Sequence, residues 1–226
     1  MKSASVELPE DFTGEVRVFP LPQLVMFPSN VQPLHIFESR YREMLEDALH
    51  GDRLIALATL EPGYEADYYS RPPIAKNVCL GHVAHHERTE QGTYNIVLVG
   101  LWRARIQEEI LPVRSFRRAR VEMVKEQPAE AAAAVTQQLG RDLTARLATS
   151  VPATEKLVDE FSQGNLSLGA LTDIMAFHLP FDLKFKLTLL SEADALQRAK
   201  MLLAQLPHLP PVESAPPSFQ PGFSEN

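Results

Sequence analysis

An α+β fold is predicted: a small β-barrel or strongly bent, mostly antiparallel sheet, followed by a compact α-helical domain. Three observations predict it. From about Glu15 to Lys125 the chain is divided into short runs of strand length by Pro and Gly. From Pro128 onward the apolar spacing becomes helical. Only one clear helix interrupts the β section.

Each element has its own signal. EVRVF alternates Val16 and Val18 with Glu15 and Arg17, the pattern of a half-buried strand. VQPLHIFE reads as a second strand. In SRYREMLEDAL, Tyr41, Met44, Leu45, Ala48 and Leu49 recur at helical spacing, with Ser39 as N-cap and Gly51 as stop. Glu38–Arg42 and Arg42–Glu46 stand at i,i+4 on its wetter side. RLIALATL is a continuous apolar run suited to a strand buried on both faces. NVCLGHVAHHER and TYNIVLVGLWRARIQEEI flank Thr89–Gly92 as a hairpin. In the second of these, Trp102, Ala104 and Ile106 share one face and Arg103 and Arg105 the other. SFRRARVEMV closes the β section.

Val135, Leu139, Leu143 and Leu147 form the stripe of the first helix of the α section. A second helix spans about 153–161 and ends near Gly164. Ser167 caps a third through Leu171, Ile174 and Met175, and Asp182 caps a short fourth. Ser191 and Asp194 form an S-x-x-D capping pattern before a fifth. The implied division is an arm over 1–14, a β unit over 15–125, a helical unit over 126–206, and a tail over 207–226. Prolines at 207, 210, 211, 216, 217 and 221 predict that the tail is disordered.

Composition narrows the function. The 226 residues carry a net charge of −7, which disfavours a dedicated nucleic-acid binder. One cysteine, Cys79, permits no internal disulfide and no multi-thiolate zinc site. Acidic residues near the N-terminus stand where a signal peptide would be apolar, and no run suits a membrane span. A soluble, cytoplasmic protein is expected. None of the ten glycines precedes a lysine, and H-E-x-x-H, G-x-S-x-G and C-x-x-C are all missing from the sequence.

His82 and His86 would share a face of an unbroken strand, with His85 pointing away, but no third zinc ligand is evident. His35, Glu38 and Glu46 lack a partnered nucleophile or carboxylate and read as structural. Tyr64, Tyr68 and Tyr69, on a loop of turn formers, suit peptide contact or a cover for the barrel. Arg103, Arg105, Arg114, Arg117, Arg118, Arg120 and Lys125 outnumber Glu108, Glu109 and Glu122 over the same stretch. They offer a basic face for an acidic partner or RNA, or an ordinary solvated surface.

Together, VFPLPQLVMFPSNVQPLHIFESRYREMLEDAL, GDRLIALATLEP and VCLGHVAHHERTEQGTYNIVLVGLWRARIQEE resemble the Lon protease N-terminal (substrate-binding) domain family. LVGLWRARI matches its L-x-G-x-x-R-x-R-I strand, and the likeness continues through FRRARVEMV and ALTDIMAFHLPFDLKFKLTLLSEADALQRAKMLLAQL. It covers roughly residues 15–206. Pro33, His35, Phe37, Glu38, Arg40, Tyr41, Arg42 and Met44 fall in its structural signature.

The resemblance implies a PUA-like β-barrel followed by an α-helical bundle. It also implies a non-catalytic module that recognises unfolded or apolar polypeptide segments or a protease partner, as an adaptor or regulator of protein quality control. Tyr64, Tyr68, Tyr69, Arg103 and Arg105 are its candidate contact residues, and no cofactor, metal or membrane is expected. The chain ends where a Lon protease would begin its ATPase module, so it reads as a stand-alone N-domain. RNA binding is the alternative, because other PUA-like barrels bind RNA.

Overall fold

A computed structural model describes residues 8–10, 12–111, 114–127, 133–150 and 155–208. Pro128, the Leu147 side chain, residues 153–154, most of the arm and the tail from 209 onward lie outside the described residues. Two compact units meet in sequence between Val124 and Lys125.

The first unit contains β1 (Glu15–Leu21), β2 (Val31–Ile36), α1 (Ser39–His50), β3 (Leu54–Thr59), β4 (Asn77–Arg88), β5 (Tyr94–Glu109) and β6 (Arg117–Val124). Strands pair in the order β2-β5-β4-β3-β1-β6, and β6 pairs again with β5. Five strands therefore close a ring, as the barrel reading expected. β1 and β3 are parallel, while the other pairs are antiparallel.

Alternation fills both sides of this sheet. Val16, Val18, Leu54, Ala56, Val78, Leu80, Ala104, Ile106, Ala119 and Val121 form the barrel interior, with Trp102 packed partly against it. The opposite positions, including Phe19, Leu21, Ile55, Leu57 and Cys79, are also buried. Tyr41, Met44, Leu45 and Ala48 are the buried face of α1, and the Tyr41 ring stands 4.6 Å from that of Phe19. Burying the three large side chains contributes about 5–8 kcal/mol as an upper bound.

The start of α1 departs from the sequence reading. Glu38, not Ser39, occupies the N-cap, and no side chain caps the helix. The carboxylate is taken by other partners, described below, and Ser39 Oγ accepts from Arg42 Nη2. The expected i,i+4 pairs give way to longer reaches. Arg42 Nη1 donates to the Gly92 carbonyl at the hairpin tip, and Glu46 accepts from the Tyr94 hydroxyl at 2.9 Å.

The segment between β1 and β2 crosses directly over Gly100. Ser29 N donates to Gly100 O at 3.0 Å, and Gly100 N to Asn30 O at 2.9 Å. A Cβ at Gly100 would lie 2.2 Å from the Phe27 carbonyl oxygen. The glycine of LVGLWRARI is thus required by close approach of two backbones.

β2 is the end of the sheet order. The bond to Asn30 makes the even-numbered residues those that face β5, so the odd ones turn their backbone groups outward. On that outer edge Pro33 has no N–H, and its carbonyl accepts from Gln32 Nε2 at 2.8 Å.

The second unit contains α2 (Ala133–Ser150), α3 (Glu155–Ser162), α4 (Leu168–His178), α5 (Leu183–Ser191) and α6 (Ala195–Gln205). Ser167 and Asp182 cap α4 and α5 as expected, accepting from Ala170 N and Phe185 N. The S-x-x-D pattern resolves differently. Ser191 ends α5 with its hydroxyl on Thr188 O, and Asp194 alone caps α6.

Arg198, 1% exposed, is the largest fully buried side chain among the described residues. Its guanidinium donates to Thr172 Oγ1, to the Glu192 and Ala193 carbonyls and to Glu126, with Asp173 Oδ1 3.5 Å from Nε. Periodicity gave no sign of this buried charge.

Candidate functional site

The loop between β3 and β4 carries the three tyrosines, and hydrogen bonds tie it at its base and along its length. Its base closes through Glu61 N to Pro73 O at 3.0 Å and Ala75 N to Thr59 O at 2.8 Å. Gly63, at φ 89°, supplies a left-handed turn into a short 3₁₀ helix, Tyr64–Asp67. Ser70 then bonds Asp67 O through both its amide and its hydroxyl.

Two ionic clamps hold this loop. In the first, Tyr68 donates its hydroxyl to Glu38 Oε1 at 2.7 Å, and Arg40 Nε donates to Glu38 Oε2 at 2.9 Å. Both terminal nitrogens of Arg40 reach the Tyr68 carbonyl at 3.3 Å. Its guanidinium also lies 4.6 Å from the Tyr41 ring centre and 5.2 Å from that of Tyr68. In the second clamp, Glu109 accepts from Arg117 and Arg71, and Arg117 Nη1 donates to Pro72 O. A void of about 30 Å³ beneath the loop is lined by Tyr41, Tyr68, Phe116 and Arg117, among others.

Protonation follows from these contacts. Burial, then the bond to Glu38, pushes the Tyr68 hydroxyl far above its ordinary value, so it remains a donor. Burial also lifts Tyr41 to about 12. Burial alone would raise Glu109, but Arg117 and Arg71 outweigh it and hold the carboxyl below 4.5. Glu38 and Tyr68 are committed to each other and to Arg40, which is an arrangement for holding a loop rather than for moving protons.

What the clamps leave outside is Tyr69, 89% exposed and in edge contact with Tyr68 at 5.3 Å. Tyr64 stands 6.3 Å from Tyr68 and is half-buried. The structure thus joins two groups that the sequence kept apart: signature residues Glu38, Arg40 and Tyr41, and the tyrosine loop. Of the remaining signature residues, Pro33 lies on the β2 edge, Met44 in the core and Arg42 at the hairpin tip. His35 Nδ1 is 2.7 Å from Asn95 Oδ1, and the His35 ring stacks on exposed Phe37.

The basic face is depleted. Arg103 is turned inward and only 4% exposed, because its strand neighbours place it on the buried Cys79 side of the sheet. Arg114 pairs with Asp47 at 3.0 Å, Arg117 with Glu109, and Arg120 with Glu15 and Glu108 at 3.5 Å. Arg105 remains exposed.

The histidine pattern needs correction. A bulge between Val83 and His85 adds a residue to β4, so His82 faces Val99 and His86 faces Ile96 across the ladder. Those partners are three apart, which puts His82 and His86 on opposite faces. Among the described residues no cluster of three or more His, Cys, Asp or Glu could hold a metal. No helix of the described residues is long and apolar enough to cross a membrane.

The closed barrel, the helical unit and the clamped loop define an α+β protein. Its sequence matches the profile of the ATP-dependent protease La (LON) substrate-binding domain over residues 15–208, and the chain belongs to that family. It is 24% identical to Lon protease 2 of Myxococcus xanthus over 208 residues, 87% of this chain. It is 27% identical to the Lon protease of Brevibacillus choshinensis over 199 residues, 85% of this chain. The chain spans 24% of the length of each of these relatives.

Two solved structures share the fold. The Lon N-terminal domain protein from Xanthomonas campestris superposes with a TM-score of 0.63 at 20% identity, covering 84% of this chain and 97% of that one. The N-terminal domain of the Mycobacterium avium complex Lon protease gives 0.64 at 19% identity, covering 85% and 98%.

Proposed function

We propose that this protein recognises segments of other polypeptide chains without acting on them chemically, as an adaptor or regulator in protein quality control. Family membership supports recognition as the task. The observation that carries the reading to this surface is the clamped tyrosine loop. Two ionic clamps remove the loop's freedom in advance, so an exposed Tyr69 offers aromatic contact area at small entropic cost.

Titrating the protein into a fluorescein-labelled, permanently unfolded polypeptide tests the reading. Saturable binding is expected, weakened roughly fivefold by Tyr69→Ala, the scale of a modest interface contact. Absence of saturable binding would refute it. RNA recognition has less support, since buried Arg103 and the paired Arg114, Arg117 and Arg120 leave few free cations on the strand that suggested it.

A further inference from the structure

Beyond the closed ring, β2, β5 and β4 continue as a three-stranded arm with one open face. Ladder register places Val31, Val99 and His82 in one row, Pro33, Val97 and His85 in the next, and His35, Asn95 and Glu87 in a third. His82 also faces Leu54 of the barrel interior, so this face continues the interior surface outward. Inside the ring that surface is covered on all sides; on the arm, among the described residues, it is not. Val31 is 54% exposed and Phe37, stacked on His35, is 41% exposed. Val97, Val99 and Pro33 are half-buried.

We propose that this open face binds a short, extended, uncharged apolar segment of a non-native polypeptide, and that protonation of its histidines releases the segment. The inference rests on the recognition reading above and adds a second surface with its own control. Size argues for a segment rather than a second copy. Three strands about 4.8 Å apart and three rows about 6.8 Å apart present roughly 300 Å² with their margins, whereas a stable dimer buries about 800 Å² per partner. Charge sets the segment's chemistry. The nine positions hold no Lys or Arg and one carboxylate, Glu87, so a charged occupant would be desolvated without a matching partner. The outer edge of β2 offers no N–H at Pro33, which favours docking on the face over strand addition.

Three imidazoles surround the valines. Neutral, they are amphipathic neighbours to an apolar segment; charged, they raise the cost of covering the face. The charged groups around them are few. Arg53 and Asp52 act on His82, Glu87 lies on the same face as His85 and closes the row of His35, and His35 itself bonds Asn95. Burial and then Arg53 push His82 below its ordinary value, with Asp52 opposing, so the neutral imidazole is favoured and charge is gained only on acidification.

The test uses fluorescence anisotropy of a terminally blocked, labelled peptide of about eight Val, Leu, Thr and Ser residues, a length that crosses the arm. Its own charge is independent of pH. Affinity is expected to fall roughly tenfold between about pH 7.5 and pH 5.5. Val31→Asp should weaken binding at both pH values. His82→Gln/His85→Gln should remove most of the pH dependence and leave affinity at the higher pH within about twofold. Far-UV circular dichroism verifies that the variants fold. Affinity that ignores both pH and Val31→Asp, yet falls with Tyr69→Ala, overturns this proposal and leaves the recognition reading standing. No binding by the wild-type protein overturns both. Self-association abolished by Val31→Asp, without peptide binding, overturns the choice of occupant.

Discussion

Replacing Gly100 by alanine is expected to cost the barrel unit about 4 kcal/mol. The new methyl carbon would lie 2.2 Å from the Phe27 carbonyl oxygen, 3.0 Å from its carbon and 3.1 Å from Cys79 Sγ. Ordinary contact begins at 3.4 Å, so one backbone must retreat by about 1.2 Å. The Phe27 oxygen cannot rotate away as a side chain could. Retreat stretches the two bonds that seat this crossing, Ser29 N to Gly100 O and Gly100 N to Asn30 O, each worth about 1 kcal/mol. Strain in a filled core adds about 1–3 kcal/mol. For a unit of this size the sum lowers the melting temperature by roughly 12–20 °C. Urea unfolding followed by the fluorescence of Trp102, two residues away and the sole tryptophan, reads the loss directly. Adding Cys79→Ala should not restore stability, since the sulfur is the lesser obstacle. A loss below about 1 kcal/mol would refute the crossing geometry.

Other expectations follow from the ion pairs. Arg198→Leu should destabilise the helical unit by about 3–5 kcal/mol in thermal melts, since buried Asp173 loses its neighbouring cation, and Arg198→Leu/Asp173→Leu should recover most of that loss. Glu38→Gln should loosen the tyrosine loop, seen as faster proteolysis near Tyr68 and a lower melting temperature; unchanged cleavage would count against the first clamp. Asp47, held below 3.8 by Arg17 and Arg114 against its burial, and Glu109, held below 4.5, contribute stability that is full above those values. That stability drains as pH falls through the lower folded values, so Asp47→Asn/Glu109→Gln should flatten the acid limb of a stability-pH curve.

Much of the fold was legible because period-two and helical spacing report burial directly. Val16 and Val18 fell inside the barrel, and Tyr41, Met44, Leu45 and Ala48 beneath α1, as their spacing demanded. What spacing could not report was the third dimension of polar side chains. Arg103 alternates correctly with Trp102 yet is buried, because at its place in β5 the Cys79 side of the sheet is covered as well as the barrel interior. His82 and His86 lost their shared face to one inserted residue in the ladder, for which HVAHH carries no marker. The Glu38–Tyr68 bond joins residues thirty positions apart, and neither advertises the other. The site emerged where a signature of unknown purpose met a loop of unknown posture.

The blunted outer edge of β2 bears on how this protein survives its proposed work. A protein that gathers unfolded chains spends its time among strands seeking a template, and an open sheet edge would let them stack into aggregates. Pro33 denies them a donor and Gln32 occupies the acceptor beside it. Under the proposed function, captured segments would stay on a face from which they can leave, instead of being woven into the sheet.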